Sequence, residues 1–95
     1  MKLLETKDVE ECIDGLVIKE LLFDAPVDET FIRGLEKLGT LEYFPHFPKP
    51  FFRVRKPGAF SIKGVQGNRT VRVFYVNYSV EAEYLIHRTV NQVFK

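Results

Sequence analysis

Ninety-five residues with 45% hydrophobic and 28% charged side chains have the composition of one globular domain spanning 1–95 and exclude an intrinsically disordered chain. The lone cysteine, Cys12, excludes an internal disulfide and a Cys-based zinc site and suits a reducing cytoplasm; no apolar run approaches the roughly 20 residues of a membrane span, and "MKLL" is cut short by Glu5, so neither a membrane segment nor a signal peptide is expected. The net charge of +1 hides a split between the halves: residues 1–42 carry −6 and residues 43–95 carry +7, a pattern that points to a charged partner or to two halves that neutralise each other.

In chain order, "TKDVEECIDG" offers Thr6 as an N-cap, Val9, Cys12 and Ile13 at helical spacing, and Gly15 as a stop, which predicts a short helix over about residues 7–14. "LVIKELLF" (16–23) is apolar and partly β-branched and reads as a strand. Asp28 then caps a helix with Glu29 in its first turn; Phe31, Ile32, Leu35 and Leu38 form its apolar face and Gly39 ends it. "TLEYF" (40–44) starts a further strand.

The stretch 43–52, "YFPHFPKPFF", holds one tyrosine, four phenylalanines and three prolines. Each proline lacks an N–H and restricts the residue before it, so the stretch interrupts pairing and any strand here lies at an edge. Phe44 and Phe52 are expected to fold inward as a lid. Tyr43, Phe47 and Phe51 are expected on the outer side, as a self-association surface.

A three-strand meander follows: "FFRVRK" (51–56), "AFSIKGV" (59–65) and "TVRVFYV" (70–76), broken at Pro57-Gly58 and Gly67-Asn68. A two-residue loop at Gly67-Asn68 sets Ile62 opposite Val73 and Lys63 opposite Arg72. Phe60, Ile62, Val71, Val73 and Tyr75 then share one core face. A two-residue loop at Pro57-Gly58 would put Val54 opposite Ser61 and break that face, so an odd loop or a bulge is expected there. The resulting register stacks Arg53, Lys63 and Arg72 on the other face, beside Arg55 and Ser61 and flanked by Phe51 and Phe74. Like charges facing each other across strands are unfavourable, so something must offset them. The acids considered for that role are Glu5, Asp8, Glu10, Glu11, Asp14 and Glu20. Last, Ser79 caps a helix with Ala82, Leu85, Ile86, Val90 and Val93 on its buried stripe.

These elements predict an α+β fold: β-α-β and then a three-strand meander, an antiparallel sheet with two main helices packed on one face, for which a ferredoxin-like variant is the nearest common architecture. His46 and His87 are the histidines; Glu83 and His87 stand at i and i+4, a geometry that suits a surface hydrogen bond better than catalysis. No catalytic, metal or cofactor motif is present, and the chain is not expected to be an enzyme. Two surfaces carry the functional expectations. Tyr43, Phe47 and Phe51 would join two copies of a small binding or regulatory module. The alternative is nucleic-acid or anionic-ligand binding by Arg53, Arg55, Lys63 and Arg72. "KPGAFSIKG" lacks the glycine- and aromatic-rich motif of an RNA-binding sheet.

Overall fold

A computed structural model of the chain describes residues 2–9 and 17–93. The elements are β1 (Leu3–Val9), β2 (Val17–Phe23), α1 (Glu29–Gly34), a 3-10 segment (Leu35–Leu38), β3 (Thr40–Phe44), β4 (Phe51–Lys56), β5 (Phe60–Val65), β6 (Thr70–Tyr75) and α2 (Val80–Val93). The strands form one antiparallel sheet in the order β1-β2-β6-β5-β4-β3. Among the described residues this is an α+β domain with two α-helices. The order gives no support to a ferredoxin-like variant: β2 and β3, joined through α1, stand on opposite sides of the β4–β6 meander.

The N-terminal helix expected over 7–14 is corrected at its start. Residues 7–9 belong to strand β1, with Lys7 opposite Glu20 and Val9 opposite Ile18. The rest of that stretch, with Cys12, lies outside the described residues. The helical spacing of Val9, Cys12 and Ile13 is a local pattern, and pairing with β2 overrides it at Val9.

The meander follows the expected register. Val54 faces Ile62 and Phe52 faces Gly64, because Pro57, Gly58 and Ala59 make a three-residue loop between Lys56 and Phe60. Gly58 sits at φ 77°, a left-handed conformation that a residue without Cβ adopts freely, and the Ala59 N–H donates to the Lys56 carbonyl at 3.0 Å. At the next corner Ile62 faces Val73, and Gly67 takes φ 95°. Phe60, Ile62, Val71, Val73 and Tyr75 are all buried.

The core lies between this face and the helices. Phe31 and Ile32 of α1, Leu35 and Leu38 of the 3-10 segment, and Ile86 and Val90 of α2 pack on Leu21, Phe23, Phe52 and Val54. Each such side chain removed from water stabilises the fold by about 1.5–3 kcal/mol before ordering costs. Asp28 caps α1, its carboxylate accepting from the Phe31 N–H at 2.8 Å. Ser79 caps α2, its hydroxyl accepting from the Ala82 N–H at 3.1 Å. Of the expected α2 stripe, Leu85 is exposed, and Thr89 is buried in its stead beside Ile86 and Val90; the side chain of Val93 lies outside the described ones. Lys19 of β2 points to the helix side, where its Nζ lies 2.7 Å from a Glu83 oxygen and 3.7 Å from Asp8.

Candidate functional site

Alternation along the strands leaves the second face of the sheet without a helix among the described residues. One row crosses all six strands there. From the β3 edge it runs Glu42, Arg53, Lys63, Arg72, Glu20, Lys7. The three cations expected side by side are therefore adjacent, and a carboxylate stands at each end of the triplet. Both acids come from the acidic half of the chain, and they reach the row because β2 and β3 flank the meander.

Glu42 holds two of the arginines. Its Oε1 and Oε2 each accept from Arg53 Nη2 at 2.9 Å, and Oε1 lies 3.0 Å from Arg55 Nε. Hydrogen bonding from Arg53, followed by the attraction of Arg53 and Arg55, outweighs desolvation and holds the Glu42 carboxyl below its ordinary range. On the other side Glu20 Oε2 accepts from Arg72 Nε at 3.3 Å. Lys63, at the centre, has no carboxylate within ion-pair distance among the described residues. Its Nζ instead lies 4.9 Å from the centre of the Phe74 ring. Glu20 was among the acids considered from sequence; Glu42 was not. The alternation of "TLEYF" holds a signal for it: with Leu41 turned to the core, Glu42 faces outward.

The same alternation revises the aromatic stretch. Phe52 is fully buried, as expected. Phe44, expected inward, is on the open face. Its ring stacks on Phe47 at 5.4 Å and on Phe51 at 6.0 Å. Phe47, on the loop after β3, is 54% exposed. Tyr43, expected outward, is on the helix side instead. There its hydroxyl is hydrogen-bonded to Gln66 Oε1 and the Arg33 guanidinium lies 5.8 Å from its ring centre. The structure thus brings Phe47 and Phe51 together with Phe44 and separates Tyr43 from them. The reason is register: Tyr43 faces Phe52 across β3 and β4, and both turn to the core.

Between Phe51 and Phe74 lies a depression of about 230 Å³, over Gly64 and Val71, with Glu20, Lys63, Val65, Arg72, Asn68 and Thr70 around it. The histidines stand apart from it: His46 is exposed on the loop, and His87 sits on α2 with a buried Nε2 that makes no hydrogen bond among the described residues. The described residues include no group of three or more His, Cys, Asp or Glu placed to hold a metal ion, and no helix among them is long and apolar enough to cross a membrane.

Comparison with known proteins finds no matching family model, no matching curated protein and no matching solved structure.

Proposed function

We propose that this chain is a small non-enzymatic binding module that pairs with a second copy of itself through the aromatic end of the open sheet face. The observation that carries this reading is the stack of Phe44, Phe47 and Phe51 with Phe47 54% exposed. Rings left in water at the end of an edge strand gain free energy when a second surface covers them. A twofold pairing would bring two such stacks together, and twofold homodimers are the commonest assembly. The lone Cys12 fits a reducing compartment, and the reading places the module in the cytoplasm.

The neighbouring charge row bears on the choice of partner. Binding of nucleic acid by Arg53, Arg55, Lys63 and Arg72 needs cations available to phosphate. Three of these four already face Glu42 or Glu20, which leaves Lys63 alone for a backbone that carries a charge at every nucleotide. A row whose arginines are already paired, beside exposed rings, suits a protein surface better.

The test is the solution mass of the protein over a range of concentrations, beside Phe47→Ser. The expected result is a dimer that Phe47→Ser makes monomeric with its circular dichroism unchanged. A wild-type protein that stays monomeric at the highest concentration overturns the reading.

A further inference from the structure

We propose that the depression between Phe51 and Phe74 is a binding site for a small aryl anion, with the anionic group on Lys63 Nζ and the ring between the two phenylalanines. Glu20 also lines the depression, and its charge is met by Arg72 Nε at 3.3 Å. Three independent features of the open face meet there. The first is Lys63. Arg53 and Arg72 flank it across the strands, and each of them is matched by a carboxylate, whereas Lys63 is matched by none among the described residues. A bound anion would relieve the like-charge contact at the centre of the row.

The second feature is shape. The depression is about 230 Å³, below the roughly 300–1,000 Å³ of drug-sized pockets, and its walls include the Phe51 and Phe74 rings and Val65. That size and lining fit one aromatic ring, not an extended chain. The third is polarity at the rim. The side chains of Asn68 and Thr70 border the depression and make no hydrogen bond to a described residue, so both have donors available to an anionic oxygen. Phe51 belongs to both the depression and the pairing stack, whereas Phe47 does not line the depression, so a change at Phe47 tests pairing without altering the site's walls.

Phenyl phosphate is the probe, titrated into isotope-labelled protein while backbone amide shifts are followed, with inorganic phosphate as the control. The expected result is saturable shifts at Gly64, Val65 and Thr70, weakened about tenfold or more in Lys63→Gln, the scale of one charge-assisted contact. Lys63 is exposed, so this variant should keep the wild-type spectrum elsewhere. Phe47→Ser should bind phenyl phosphate as the wild type does, which separates this site from self-association. The proposal is overturned by an absence of shifts, by undiminished affinity in Lys63→Gln, or by inorganic phosphate binding as tightly as phenyl phosphate. Tighter binding of a single-stranded oligonucleotide, lost steeply with salt, would also overturn it and return the face to nucleic acid.

Discussion

Glu42 and Arg53 form a bidentate pair across the β3–β4 edge, with Arg53 Nε donating to Oε1 at 3.1 Å and Nη2 to Oε2 at 2.9 Å. Such forked pairs fix geometry as well as charge, and here the pair joins the edge strand to the meander. Because Arg55 shares the same carboxylate, removing Glu42 leaves two arginines beside Lys63 with no acid on their side of the row.

Glu42→Gln should therefore destabilise the fold near neutral pH. The folded-state carboxyl titrates below its ordinary value of 4.5, so its contribution is present above that value and is lost as pH falls through the folded one. Denaturant midpoints of wild type and variant should differ near neutrality and converge as pH falls through the folded carboxyl's lowered range. A gap that persists in acid would mean that the carboxylate's charge is not what holds the edge.

Lys19 and Glu83 tie β2 to α2, their charged atoms 2.7 Å apart and their side chains only 18% and 23% exposed. Their hydrogen bond is the largest influence on both, raising the Lys19 ammonium and lowering the Glu83 carboxyl. The Glu83 share is present above its ordinary 4.5 and lost as pH falls through the folded value. The Lys19 share is present below its ordinary 10.5 and lost as pH rises through the folded value. Stability should form a plateau between these limbs. Glu83→Gln should lower it by about 1–2 kcal/mol within the plateau and flatten the acid limb, and a double-mutant cycle with Lys19→Met should return a coupling of similar size.

Gly64 faces Phe52 across β4 and β5, and a methyl group there would stand 2.8 Å from the Phe52 ring and 3.0 Å from Val71. Phe52 is fully buried and has no room to swing away. Gly64→Ala should cost about 1–3 kcal/mol in chemical denaturation, and Phe52→Leu in the same chain should recover part of it. A neutral Gly64→Ala would show that the sheet can spread at this point.

Asp28 caps a helix of only six residues, and that helix carries Arg33 to the Tyr43 ring. Asp28→Ala should cost about 1 kcal/mol and raise amide exchange at Phe31, whose N–H loses its acceptor. Unchanged exchange at Phe31 would mean that packing alone holds the first turn.

Where sequence reading succeeded, two patterns had to agree at once. Val54 opposite Ile62 was legible because the apolar faces of β4 and β5 match only with an odd loop at Pro57-Gly58-Ala59. The stacking of Arg53, Lys63 and Arg72 followed from the same step. The reading failed where one pattern stood alone. Tyr43 and Phe44 are both aromatic, so hydrophobicity does not rank them, and a one-residue choice exchanges their faces. Residues 7–9 carry a helical spacing, but their strand state comes from β2, a contact that local sequence does not contain. Glu42 was missed for a related reason: its role depends on β3 lying beside β4 in register, which no motif announces.

The placement of β2 beside β6 has a consequence for a chain made from its N-terminus. Arg53 follows its acceptor Glu42 by 11 residues, but Arg72 follows Glu20 by 52. A growing chain thus exposes −6 over residues 1–42 before any cation of the meander has emerged, and that excess of one sign keeps the early segment dispersed. The later strands pair as local hairpins, whereas β2 pairs with β6 between residues about fifty apart in sequence, the kind of long-range contact that slows folding. The charge row of the open face is therefore complete only once β2 has joined β6.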